Sequence, residues 1–297
     1  MQSPLTAYQT PLTKMVFFPN CKINIGLNIL DKRPDGFHNL ETVFIPIPLK
    51  DSLEIIRAKE NRDEVIFSHS GFAIDGKTED NLCIKAYHLL KKDFPQLPAI
   101  QMHLHKTIPM GAGLGGGSAD AAFTLMLLND KFHLGLSTEQ LINYSLSSGS
   151  DCPFFIINKP CFATGRGEKM EPLEISLAGY QLVLINPGIH INTGWAFTHS
   201  DSYRKKDEPA ANRIAKNLRQ YINGPIQNWR NTISNDFELP LFAAHPVLKE
   251  IKETLYSNGA VYAAMSGSGS TLYGLFTKNI QPSFSFPQSW FVNHIAL

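Results

Sequence analysis

Along residues 21–29, apolar Cys21, Ile23, Ile25, Leu27 and Ile29 alternate with Lys22, Asn24, Gly26 and Asn28. That period of two predicts a strand with one apolar and one polar face. Turn chemistry follows in KRPDGFHN, centred on Pro34-Asp35-Gly36, where proline presets φ and glycine accepts the left-handed region. A second alternating run at Val43, Ile45 and Ile47 predicts another strand, and two short strands fit 52–58 and 64–68. Residues 81–94 read as an amphipathic helix that stops before Pro95. AIQMHLHKTI predicts a strand, PMGAGLGGGSAD a glycine-rich loop, AAFTLMLLND an apolar helix, and STEQLINYSLSS a helix ending at Gly149.

After about residue 160 the pattern restarts. YQLVLINPG predicts a strand, TGWAFTHS opens a helical region, and 207–232 is polar and helical. HPVLKEIKETLYSNG predicts a helix with Pro246 near its start and Gly259 just past its end. VYAAMSGSGSTLYGLF reads as strand, glycine-serine loop, strand. These halves give two domains, 15–160 and 161–297. Residues 1–14 carry no apolar pattern and read as a flexible leader, which makes Met15 a candidate start.

Composition narrows the class. A chain of 297 residues holds two domains or one large one. With 43% hydrophobic and 18% charged residues it is not a disordered chain. Lys plus Arg is 27 against 26 acidic residues, so no basic excess exists to bind a nucleic-acid backbone. No apolar run approaches the ~18–20 residues of a membrane span. The first residues also lack the charged and apolar regions of a signal peptide. Cys21, Cys83, Cys152 and Cys161 show neither C-x-x-C nor zinc-like spacing. They read as the reduced thiols of a cytoplasmic protein.

The chemistry concentrates in the loop that holds Gly111, Gly113, Gly115, Gly116 and Gly117. Glycine lets a backbone approach a ligand closely, and the following helix start offers unpaired N–H groups suited to phosphate. A plain flexible turn is the competing reading. A P-loop is excluded because Gly117 stands where its lysine is required. GAGLGG does satisfy G-x-G-x-x-G, but KFHLGLSTEQ after the helix is not the buried second strand of a dinucleotide fold. No H-R-D or D-F-G of protein kinases occurs.

PMGAGLGGGSADAA is similar to P-x-G-x-G-L-G-S/G-S-[SA], the phosphate loop of the GHMP kinases, which phosphorylate small alcohols such as galactose, homoserine and mevalonate. PNCKINIGLNIL resembles their first motif, P-x-K-x-N, and MSGSGSTLYGLF their third. KINIGLNILDKRPDGFHNLETVF and GSDCPFF resemble the branch whose substrate is a cytidyl diphosphate sugar alcohol. The resemblance implies an α+β, two-domain fold: an N-terminal ribosomal-protein-S5-domain-2-like domain and a C-terminal ferredoxin-like α/β sandwich. It implies ATP as donor, Mg²⁺, and a chain that is a monomer or weak homodimer. Two other classes compete, a non-catalytic ligand sensor on the same fold and a dinucleotide oxidoreductase.

By this resemblance Asp151 is the catalytic base and Lys22 its partner. The bland alternatives are a cap or turn for Asp151 and a solvated strand lysine for Lys22. Asn24 shares the face of Lys22. ATP falls to Pro109, Met110, Gly111, Ala112, Gly113, Leu114, Gly115, Gly116, Gly117, Ser118 and Ala119, with Asn81 and Lys106 near the adenine. Lys106 otherwise reads as an edge-strand lysine. Ser118 is expected to cap its helix, and to contact phosphate or metal. Asp120 is a candidate metal neighbour, but no metal ligand is assigned. For the acceptor, Phe37 stacks on the base and His38 bonds its edge. Thr193 and Phe197 lie near it, with core and site both open for Phe197, and Trp195 as its rival.

Overall fold

The computed structural model describes residues 15–59, 64–203 and 217–297. The expected leader, 1–14, and the 207–216 portion of the expected helical stretch lie outside the described residues. No helix among the described residues is long and apolar enough to cross a membrane.

Three four-stranded sheets carry the fold. The first orders β1 (Met15–Phe17), β4 (Ser52–Arg57), β6 (Ile100–Lys106) and β5 (Val65–Gly71) side by side. The second orders β2 (Asn20–Lys32), β3 (His38–Lys50), β7 (Cys161–Thr164) and β8 (Lys169–Pro172). The third orders β10 (Tyr262–Met265), β11 (Leu272–Thr277), β9 (Tyr180–Asn186) and β12 (Phe291–Ala296). Four helices belong to the first half: α1 (Leu82–Asp93), α2 (Gly116–Phe132), α3 (Thr138–Leu146) and α4 (Cys152–Ile157). The second half holds α5 (Thr193–Tyr203), α6 (Leu218–Ile222), α7 (Trp229–Thr232), α8 (Glu238–Ala244) and α9 (Pro246–Ser257).

The sequence pattern puts the boundary near 160. β7 pairs antiparallel with β3, and β8 with β7. Residues 161–172 therefore continue the sheet of the first half, and we propose that the division falls after them.

Apolar runs explain the layering. In YQLVLIN, Leu182 and Leu184 enter the core shared with β2 and β3, while Val183 and Ile185 face the core that α8 and α9 cover. Both faces of β9 are thus buried, which a continuous apolar run permits and an alternating one does not. Leu53, Ile55, Met102 and Leu104 of the first sheet pack on Tyr87 and Leu90 of α1 and on Leu125 and Leu128 of α2.

β2 departs from its expected alternation at Gly26. This residue has φ of +66°, and the register with β3 slips between Ile25 and Leu27. The extra residue is a β-bulge. Cys21, Ile23 and Ile25 enter the core between the second and third sheets, whereas Leu27 and Ile29 join a different cluster. Pairing places Leu27 opposite Thr42 and Asn24 opposite Phe44, so Leu27 turns to the side of Lys22 and Asn24. That face is not solvated: Lys22 and Asn24 are both buried, and so is Asn28 on the opposite side.

Candidate active site

The glycine loop connects β6 to α2 and meets two other segments. Gly113 and Gly115 take φ of +78° and +69°. A Cβ on Gly113 would stand 2.0 Å from the carbonyl oxygen of Ser266, and one on Gly115 would stand 2.9 Å from Phe155 and 3.1 Å from Lys22. Only glycine fits both positions, in conformation and in space. α2 starts at Gly116 with Gly115 as its N-cap and no side-chain cap. Ser118 therefore does not cap the helix as expected; it lies inside the first turn. The first-turn N–H groups are left open to an anion.

Lys22 and Asp151 meet beside this loop. Lys22 Nζ lies 3.2 Å from Asp151 Oδ2, and it donates to Asn24 Oδ1 at 2.6 Å and to the Gly113 carbonyl at 3.3 Å. It also sits 5.0 Å from the centre of the Phe44 ring. Asn24 is fixed in turn by donating to Thr42 Oγ1 at 2.9 Å. Asp151 occupies the N-cap position of α4 but makes no capping bond, so its carboxylate is not spent on the helix. Its side chain is 33% exposed and that of Lys22 only 4%. One oxygen of the acid thus faces a buried cation while the group remains reachable from solvent.

Both line a cavity of about 320 Å³. Asn24, Phe37, His38, Thr193 and Phe197, all expected at the acceptor, line it too. Phe37 is 52% exposed at the tip of the β2–β3 hairpin, where its N–H donates to Asp35 Oδ1 at 3.1 Å. Phe197 stacks on His38 with centroids 4.7 Å apart and planes 8° from parallel. Trp195 instead stacks on His199 at 3.9 Å, and it is not among the residues lining the cavity. Thr193 Oγ1 lies 3.1 Å from Ser268 Oγ, which ties the start of α5 to the glycine-serine loop.

A second cavity of about 140 Å³ opens on the other side of the glycine loop, lined by Asn81, Leu82, Met110, Gly117 and Asp120 among others. Asn81 caps α1 by accepting from the Cys83 N–H at 2.9 Å. Lys106 is not at this surface. Its side chain is wholly buried and ion-paired with Asp51, and with Asp120 at 2.7 Å. Asp51 also accepts from the N–H groups of Thr107 and Ile108 at 2.6 and 2.9 Å. The lysine expected near adenine is therefore a counter-ion beneath the loop, and Asp120, the candidate metal neighbour, is already engaged by it. Burial pushes the Asp120 carboxyl up to about 7, against the pull of Lys106. Ala112, Leu114 and Ala119 are buried as well, which leaves them only backbone atoms to offer a ligand.

Several site residues were not read from sequence. Ser266 Oγ donates to the Gly113 carbonyl at 2.8 Å and accepts from Asn24 N–H at 3.2 Å. Tyr273 OH donates to the Asn24 carbonyl at 2.7 Å. Arg166 lines the same cavity as Lys22 and Asp151 and lies over the Phe37 ring. The flanking glycines in Gly165-Arg166-Gly167 were the available signal for a tight turn. The thiols take no part: burial pushes those of Cys21, Cys152 and Cys161 up to about 12 and raises Cys83 as well.

A glycine loop at a helix start, with a lysine–aspartate pair beside it on a two-domain α+β frame, defines a small-molecule phosphotransferase. Residues 81–159 match the GHMP kinases N terminal domain, and residues 214–283 match the family described as GHMP kinases C terminal. The chain belongs to the GHMP kinases, and its fold is theirs. The 4-diphosphocytidyl-2-C-methyl-D-erythritol kinase of Bacteroides fragilis (strain YCH46) is 51% identical over 263 residues, covering 89% of this chain and 92% of that protein. The enzyme of the same name from Solidesulfovibrio magneticus is 35% identical over 282 residues, covering 92% of each. Among solved structures, a 4-(cytidine 5'-diphospho)-2C-methyl-D-erythritol kinase superposes with a TM-score of 0.72 at 28% identity, over 88% of this chain and 90% of that one. The Methanococcus jannaschii mevalonate kinase gives 0.68 at 12% identity, over 90% and 92%, a likeness of fold alone.

Proposed function

We propose that the chain transfers the γ-phosphoryl group of ATP to the 2-hydroxyl of 4-diphosphocytidyl-2-C-methyl-D-erythritol, giving the 2-phosphate and ADP. This is a step of the non-mevalonate, methylerythritol phosphate route to isopentenyl diphosphate. The observation that carries the reading is the Lys22–Asp151 pair, 3.2 Å apart, in a cavity that also holds Phe37, His38 and Phe197.

In this reading Asp151 accepts the hydroxyl proton as the oxygen–phosphorus bond forms and the bond to ADP breaks. Lys22 orients the Asp151 carboxylate and offsets negative charge on the transferring group. The open N–H groups at the start of α2 hold the phosphates. Phe37 and Phe197 supply faces for the cytosine, and His38 addresses its edge. Asn81 and Met110 border the nucleotide base. The hard oxygen donors beside the loop, the Ser118 hydroxyl and the Asp151 carboxylate, suit Mg²⁺, which takes chiefly phosphate oxygens and water. When bound it neutralises charge on the ATP phosphates.

A coupled ADP-release assay tests the reading. The cytidyl substrate should be turned over, and galactose, homoserine and mevalonate should not. Turnover of one of those alcohols in preference would overturn the acceptor assignment, and ATP binding without any turnover would favour a sensor.

A further inference from the structure

We propose that Arg166 is a specificity-determining residue of the acceptor cavity, which holds the diphosphate between cytidine and sugar alcohol. The assignment rests on the acceptor proposed above.

Arg166 sits on the turn between β7 and β8. The turn is fixed to β3 by the Leu40 N–H, which donates to the Gly165 carbonyl at 2.7 Å. One end of the turn reaches the base platform, with the guanidinium carbon of Arg166 4.8 Å from the centre of the Phe37 ring. Its other end reaches the acid: a Cβ on Gly167 would stand 3.9 Å from Asp151 Oδ1 and 3.5 Å from Phe44. Arg166 thus lies along the span from the cytosine site to the Asp151 carboxylate. In a cytidyl diphosphate alcohol whose base is at Phe37 and whose hydroxyl is at Asp151, that span is occupied by the diphosphate.

The charge balance agrees. Lys22, which lines the same cavity, is already committed to Asp151, Asn24 and the Gly113 carbonyl. Among the described residues Arg166 has one salt-bridge neighbour within 4 Å, Glu168, at 3.9 Å from Nε, and its charge also bears on the Asp35 carboxylate. Glu168 is itself engaged by the Arg166 backbone N–H at 2.5 Å. Among the described residues, the terminal guanidinium nitrogens take no hydrogen bond. A planar fork with spare donors, steadied over an aromatic ring, is suited to two phosphate oxygens. The side chain is 32% exposed, enough for a ligand to reach it.

Titration calorimetry with cytidine and with cytidine diphosphate, on the full chain, tests this. The wild type should prefer the diphosphate by about tenfold or more, the scale of one charge-assisted contact. Arg166→Gln should erase the preference while leaving cytidine binding, the KM for ATP and the melting temperature unchanged. Arg166→Lys should restore part of it. Equal loss of both ligands in Arg166→Gln would make Arg166 a stacking partner of the base and overturn the assignment. So would the absence of any preference in the wild type. Diphosphate selectivity without turnover of the cytidyl alcohol would sink the proposed reaction and leave Arg166 in place.

Discussion

Ser266 Oγ donates to the Gly113 carbonyl across 2.8 Å, and so joins the glycine-rich loop of the first half to the glycine-serine loop of the second. The backbone of Gly113 is pressed against that contact. A Cβ there would lie 2.0 Å from a carbonyl oxygen, in a backbone conformation of φ +78°. Gly113→Ala should therefore destabilise the fold by about 2–5 kcal/mol, from left-handed strain plus overpacking. Gly117→Ala meets nothing nearer than 3.8 Å within α2, and should be neutral or stabilising by up to about 1 kcal/mol. Urea denaturation of the two variants makes the comparison. Equal effects would show that the loop yields at Gly113.

The Lys22–Asp151 pair separates rate from folding. Asp151→Asn keeps the shape, and should lower kcat by about a hundredfold to ten-thousandfold, the range of general acid–base catalysis. The melting temperature should barely move, because this carboxylate caps no helix. Lys22→Met should lower kcat as well and also reduce stability, since its ammonium is bonded to Asn24 and Gly113. A folded Asp151→Asn protein with wild-type turnover would remove the acid from the mechanism.

Phe197 and Trp195 lie two residues apart on α5 and have different neighbours. Phe197→Ala removes a ring from the cavity it shares with Lys22 and Asp151, and from its stack on His38. The KM for the cytidyl substrate should rise by about tenfold to a hundredfold, as loss of base stacking does, with the KM for ATP unchanged. Trp195→Ala, which loses its stack on His199, should leave both constants alone. A rise in the Trp195 variant instead would exchange the two assignments.

The buried Lys106–Asp51–Asp120 group sets a pH dependence of stability. Burial raises the Asp120 carboxyl from 3.8 to about 7. A raised acid holds its proton more tightly folded than unfolded, so its contribution to stability falls as pH climbs from about 4 to about 7. In Asp120→Asn this contribution is absent. The variant's stability relative to wild type should therefore improve between about pH 4 and about pH 7, measured by denaturant titration. Lys106→Met leaves two carboxylates without their counter-ion, and should cost about 3–5 kcal/mol. A Lys106 variant of unchanged stability but weakened ATP binding would return the lysine to the nucleotide site.

Most of the frame was legible because its signals are local. The β2 alternation, the Pro34-Asp35-Gly36 turn, α1 before Pro95 and α9 between Pro246 and Gly259 each rest on a few adjacent residues. The glycine loop and its helix were legible for the same reason. What escaped depends on distant partners. Lys106 looks like any strand lysine until Asp51 and Asp120 converge on it. Ser118 looks like a cap until the helix is seen to begin at Gly116. The bulge at Gly26 moves Leu27 and Ile29 to the other side of β2, and an isolated glycine in a strand pattern gives only a weak hint of it. α8 was missed because it is seven residues long and contains Pro240. The strand at β7 is four residues long, too short for a period to register.

The core that β2 and β3 share with β9, β10 and β11 bears on how ligands enter. Ile23, Ile25, Val43, Leu182, Leu184, Tyr262 and Tyr273 form one continuous apolar cluster across the two halves. Swinging the halves apart would bring that surface into water, at roughly 25 cal/mol for each Å² exposed, and would break the Tyr273–Asn24 bond with it. Large, apolar contacts of this kind oppose hinge motion. Access to the cavity beside Lys22 and Asp151 therefore runs over its solvent-facing rim, where Phe37 stands exposed at the hairpin tip, and not through an opening of the joint between the sheets.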